Sequence, residues 1–161
     1  MGQYIGPIIG IIAAIIGVIL LVKLVIFLFV NFVASRILSI GTAIAALVLG
    51  IIIFPTMETE EIIGSHLLAT IVLTAFSWMF FTGDFVFAKF ESDEIESIDW
   101  ENLEINFKTV GGFFLNLFVS LLVCGFIYGY GGSEFPAVFI WIPILLLVAN
   151  AISIIWYVKT R

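Results

Sequence analysis

The sequence predicts an all-α integral membrane protein, a bundle of about five transmembrane helices. Hydrophobic residues make up 63% of its 161 residues and charged residues only 11%, against roughly 25% charged residues in soluble domains. The mean hydropathy is +1.28, and a soluble fold of this size has too much surface to hide so many apolar side chains. The apolar runs are also continuous over about twenty residues, whereas the strands of a membrane barrel alternate in polarity over about ten.

We expect one transmembrane domain, residues 1–161, in which each apolar segment ends at a recognisable signal. Pro55 stops the second segment, and the glycine pair Gly131–Gly132 ends the fourth. Each segment can cross about 30 Å of hydrocarbon at about 1.5 Å per residue, the second only just. The predicted segments are residues 5–33, 37–54, 62–82, 109–130 and 135–158, and a cytoplasmic acidic loop covers residues 85–108.

Lys23 interrupts the first segment. A lysine at mid-bilayer costs about 2.5–3.5 kcal/mol, and each central Leu, Ile, Phe or Val returns only about 0.3–0.6 kcal/mol. We therefore expect residues 5–22 to occupy the hydrocarbon core and Lys23 to reach the interface. Residues 24–33 then continue as an apolar extension, either packed on neighbouring helices or half sunk in the interface. A lysine that lines a transport pathway is the alternative.

The six basic residues indicate the topology. Five crossings with the N-terminus outside place all six on one face, which the positive-inside rule makes cytoplasmic, together with the C-terminus. Four crossings, with residues 5–22 lying in the interface, would break this agreement. The start of the chain, MGQYIG, lacks the positive region of a signal peptide. We expect a multi-pass protein of a plasma membrane, in a prokaryote. The basic residues are Lys23, Arg36, Lys89, Lys108, Lys159 and Arg161.

Small residues at helical spacing indicate close packing of the first two segments. Small side chains let helix backbones approach, which favours association where hydrophobicity cannot. These faces could pack within the bundle or between protomers. The first segment carries Gly6, Gly10, Ala14 and Gly17 on one face, and the second carries Thr42, Ala46 and Gly50.

Polar side chains recur along single faces of the third, fourth and fifth segments. Asn116 and Asn150 are the most informative, because an amide in hydrocarbon needs hydrogen-bond partners. Two interpretations stay open: a polar cavity for a proton or cation, or ordinary hydrogen bonds between helices. The candidate cavity residues are His66, Thr70, Thr74, Asp84, Asn116, Ser120 and Asn150.

The stretch KFESDEIESIDWENLEINFK, residues 89–108, is the one long polar stretch of the chain. Its acidic residues are typical of a solvated surface, and the order of these residues does not fit a calcium-binding EF-hand loop. Apolar residues among the acids predict docking, either on a protein partner or on the underside of the bundle. The candidate docking residues are Ile95, Ile98, Trp100, Leu103 and Phe107.

No hydrolase, nucleotide-binding or zinc-protease motif occurs, so we expect no enzymatic activity and no cofactor. One histidine and one cysteine do not suffice for the usual His/Cys metal sites, and a net charge of −6 argues against nucleic-acid binding. Two functions remain. The first is association in the lipid bilayer, as an accessory subunit or homo-oligomer with a cytoplasmic docking loop. The alternative is a proton or cation carrier or channel that uses the polar faces.

Overall fold

The computed structural model describes residues 5–56, 64–87, 100, 101, 103 and 105–160. Within these residues five helices are long and apolar enough to cross a membrane, which confirms the predicted all-α, multi-pass class. They are α1 (Ile5–Val30), α2 (Phe32–Thr56), α3 (Gly64–Phe87), α4 (Phe107–Phe126) and α5 (Val138–Thr160). α4 continues directly into a π-helical turn, Ile127–Gly131, and a single α-helical turn, Gly132–Glu134.

Helices α2 and α3 form the central pair of the bundle, with α5 packed over both and α4 packed on α3. Helix α2 runs antiparallel to α5. The ring of Phe32 near the start of α2 stacks on Tyr157 near the end of α5, with centroids 4.0 Å apart. Near the other end of α2, Gly50 lies against the backbone of Phe139 at the start of α5. Side-chain hydrogen bonds also show that α3 runs antiparallel to α2 and to α4. Helices α2 to α5 therefore alternate in direction along the chain.

Helix α1 joins the bundle only through its C-terminal part. Ile26, Phe29 and Val30 are buried in a core cluster with Met79 of α3. Residues 6–22, in contrast, are exposed at every position. Residues 24–33 were expected to pack on neighbours or sink into the interface, and the structure packs the buried part of this extension on α3.

A single residue, Asn31, separates α1 from α2. Its side-chain oxygen accepts a hydrogen bond from the backbone N–H of Ala34 at 3.0 Å, so Asn31 caps the new helix. The hydropathy pattern predicts this break at residues 34–36, a few positions later. Phe32 and Val33 are apolar, and hydropathy alone assigns them to the preceding segment although they begin α2.

The described basic residues gather at one end of the bundle. Arg36 lies near the start of α2, Lys108 near the start of α4 and Lys159 near the end of α5. These three helix ends coincide because the helices alternate in direction. Lys23 of α1 joins them, since its Nζ lies 4.9 Å from the ring centre of Trp100, shortly before α4. We call this the basic end.

Candidate functional site

A polar cluster at the centre of the bundle joins three helices. Ser39 of α2 donates from Oγ to the carbonyl of Ser77 in α3 at 2.8 Å, and Ser77 Oγ donates to the carbonyl of Ser39, also at 2.8 Å. From α5, Asn150 Nδ2 donates to Ser39 Oγ at 2.9 Å. All three residues are fully buried. We call this group the Ser39–Ser77–Asn150 cluster.

The reciprocal serine bonds require two helix backbones to lie close together. Serine is small enough to allow that approach, and its hydroxyl can reach a carbonyl on the facing helix. Asn150 makes a second bond, from Nδ2 to the Leu146 carbonyl one turn back at 2.8 Å, which holds its amide against α5. The cluster therefore sets the relative positions of α2, α3 and α5.

A second set of polar contacts joins α3 to α4. Asn116 Nδ2 donates to Thr82 Oγ1 at 3.0 Å, and Ser120 Oγ donates to Asn116 Oδ1 at 3.4 Å. Towards the other end, the hydroxyls of Thr74 and Tyr128 lie 3.1 Å apart. Tyr128 belongs to the π-helical turn, and its partner in α3 had not been expected from the sequence.

The predicted cavity residues thus do not form one group: they make hydrogen bonds at different places in the bundle and to different partners. Thr70 donates back to the carbonyl of His66 in its own helix at 2.9 Å, and His66 itself is half-buried. The side chain of Asp84 lies outside the described part of the structure, although its backbone belongs to α3. The geometry serves helix packing, and a transport role for these residues remains a prediction.

Arg36 is buried at the basic end, only 2% exposed. Its Nη1 donates to the carbonyl of Phe81 in α3. The guanidinium carbon lies 4.9 Å from the ring centre of Phe32 and 4.4 Å from that of Phe81, so the cation contacts two aromatic rings. In the sequence Arg36 is one of the basic residues that indicate the topology, and this contact is not predicted. The signal that could have revealed this contact is Phe32, one helical turn earlier.

A glycine of α2 and a proline of α5 mark a close approach between these two helices. Pro143 lies inside α5 and has no N–H, so the carbonyl of Phe139, four residues earlier, loses its helical donor. That carbonyl points at Gly50, where the Cβ of any other residue would collide with it. The predicted face of α2 therefore packs inside the bundle at Ala46 and Gly50, both buried. Thr42 is half-buried and bonds back to the Leu38 carbonyl at 2.7 Å.

The small-residue face of α1, unlike that of α2, is open in the described structure. A Cβ added at Gly6, Gly10 or Gly17 would meet no atom within 4 Å. Ala14, on the same face, is exposed as well. The face therefore contacts no other described part of this chain.

Two of the three docking residues that the structure describes contact the chain's own helices. Leu103 is only 6% exposed and belongs to the core cluster of α1 and α3. The ring of Trp100 meets Phe27 of α1 edge-on, with centroids 5.6 Å apart. Phe107 is different, being 95% exposed at the start of α4. Ile95 and Ile98 lie outside the described residues.

In the described residues, no three His, Cys, Asp or Glu side chains come together in a way that could hold a metal ion. Comparison with models of protein families, with curated proteins and with solved structures finds no match to this chain. Arguments about its function therefore depend on its own residues and their geometry.

Proposed function

We propose that this chain is a non-enzymatic multi-pass membrane protein that acts by association, as a homo-oligomer or as an accessory subunit of another membrane protein. The observation that carries the proposal is the open surface of α1. Residues 6–22 are exposed at every position, although nearly all are apolar. Such a helix segment needs lipid or another polypeptide around it.

Lipid alone satisfies apolar side chains, so exposure by itself does not demand a protein partner. The open glycines give the additional argument. Gly6, Gly10 and Gly17 leave a face on which a second helix backbone could approach closely, and such contacts drive helix association in membranes. The comparable face of α2 is already occupied by α5 at Gly50. Helix α1 is therefore the part of the chain best suited to bind a partner.

We infer that the basic end faces the cytoplasm of a prokaryotic cell and that the protein lies in its plasma membrane. The grouping of Lys23, Arg36, Lys108 and Lys159 supports this orientation through the positive-inside rule. The acidic loop, residues 85–108, then lies in the cytoplasm with the C-terminus, and the N-terminus lies outside. At the start of α4, Phe107 is 95% exposed and is available to a cytoplasmic partner.

The test is the mass of the full-length protein purified in mild detergent or lipid nanodiscs, measured by native mass spectrometry. We expect either a homo-oligomer or stoichiometric copurification of one other membrane protein. Gly10→Leu should weaken this association, because the leucine side chain would hold a second backbone away. Ile12→Leu, on the opposite face of α1, is the matched control and should leave it intact. A monomer without a stoichiometric partner would refute the proposal, as would association that Gly10→Leu leaves unchanged.

A small-ion carrier or channel is the second candidate, favoured by the polar side chains at several heights of α3 and α4. Thr74, Thr82 and Asn116 are all engaged in hydrogen bonds between these helices, and a carrier would have to exchange such bonds for the ion. Proton or cation flux into liposomes that contain the purified protein would test it. Flux lost in His66→Ala or Asn116→Ala supports this function, and its absence from the unmodified protein excludes it under those conditions.

A further inference from the structure

Two buried oxygens of α5 have no hydrogen-bond partner among the residues that the structure describes. Asn150 Oδ1 belongs to a side chain with 0% exposure, and Ser153 Oγ to one with 9% exposure. The amide orientation of Asn150 is fixed, because its nitrogen donates both to Ser39 Oγ and to the Leu146 carbonyl. Its oxygen is thus left as an acceptor without a donor. Buried polar groups are normally paired with protein or with ordered water.

The two oxygens belong to one face of α5. Residues three apart on a helix are neighbours, and both Asn150 and Ser153 lie on the buried face of α5. This face packs against α2, because Asn150 bonds to Ser39 and, two turns further on, Tyr157 stacks on Phe32. Ser153 lies between these two contacts, on the basic-end side of the Ser39–Ser77–Asn150 cluster.

We propose that Asn150 Oδ1 and Ser153 Oγ bind an internal water molecule between α5 and α2. A water O–H can donate to the Asn150 oxygen while the water oxygen accepts from the Ser153 hydroxyl. Internal waters in proteins make two to four such bonds with otherwise unsatisfied groups. This water would link the Ser39–Ser77–Asn150 cluster to Ser153, which lies nearer to the basic end.

The charges around the site decide against a metal cation. Neither α2 nor α5 contains an aspartate or glutamate, and hard cations in proteins are bound mainly by carboxylate and carbonyl oxygens. Arg36, three residues before Ser39 on α2, instead adds a buried positive charge on the same side of the cluster. A neutral molecule such as water can hydrogen-bond to both oxygens and is not repelled by this guanidinium.

The proposal can be tested by NMR on the full-length protein in lipid nanodiscs, with asparagine side chains labelled with ¹⁵N. We expect magnetisation transfer from water to the Asn150 side-chain amide. Asn116 is the internal control, because its nitrogen and its oxygen both have partners in the structure, Thr82 and Ser120, and its amide should show much weaker transfer.

The Ser153→Ala variant removes one of the two proposed ligands while leaving the bonds of the cluster in place. Transfer to Asn150 should fall several-fold in this variant, and transfer to Asn116 should stay the same. Absent transfer to Asn150 in the unmodified protein would overturn the proposal. Equal transfer to Asn150 before and after the substitution would also overturn it, because Ser153 would then not hold the water.

Discussion

Replacing Gly50 by alanine tests a close contact between α2 and α5. The added Cβ would collide with the backbone carbonyl of Phe139 and lie within 2.9 Å of its carbonyl carbon. Backbone atoms cannot turn aside as a flexible side chain can. The two helices must therefore move apart at this point.

Overpacking a well-packed core costs about 1–3 kcal/mol. Against this, replacing glycine by alanine in a helix gains about 1 kcal/mol of helix propensity. We therefore expect a net loss in the free energy of unfolding for Gly50→Ala.

Gly41→Ala is the matched control, because Gly41 lies in the same helix and a Cβ there would meet nothing within 4 Å. The propensity gain is common to both variants, so the difference between them isolates the steric cost of about 1–3 kcal/mol. Unfolding by sodium dodecyl sulfate in mixed micelles, followed by circular dichroism, measures it. Equal stability of the two variants would refute the close approach of the Phe139 carbonyl to α2.

Two further predictions concern other helix contacts. Gly83→Ala should loosen α1 from α3, because the added Cβ would lie 2.6 Å from Cδ2 of the Phe29 ring and even closer to the Phe29 carbonyl. We expect faster proteolysis of α1 in this variant, and no change in the control variant Gly111→Ala. The effects of Ser39→Ala and Ser77→Ala on the free energy of unfolding should not add, and the coupling energy between the two sites should be about 0.6–2 kcal/mol. Additive losses in a double-mutant cycle would mean that the two hydroxyls act independently.

The sequence predicts the number and nature of the helices because hydropathy over about twenty residues is a direct consequence of bilayer thickness. The helix boundaries are less predictable. Asn31 begins a new helix through a single capping bond to Ala34, and an average over twenty residues cannot detect one bond. The number and class of the helices therefore follow from hydropathy, whereas the corner between α1 and α2 depends on one side chain.

The candidate site is predictable in part. An amide in hydrocarbon must find partners, which singles out Asn116 and Asn150 from the sequence. Their partners, Thr82 and Ser39, depend on which residues of two packed helices lie at the same height. A single sequence does not show this alignment of the helices. The same limit applies to Trp100 and Leu103: their apolar character predicts docking, but only the fold brings them against α1.

The contacts that hold the bundle together and the surface proposed for association lie on different parts of the chain. Gly50 and the Ser39–Ser77–Asn150 cluster join α2, α3 and α5, whereas the open glycines of α1 lie within residues 6–22. Damage to the first set should lower stability and reduce association only indirectly. Damage at Gly10 should reduce association while the bundle stays as stable as before. A Gly10→Leu protein that unfolds as easily as Gly50→Ala would mean that α1 packs against the bundle after all.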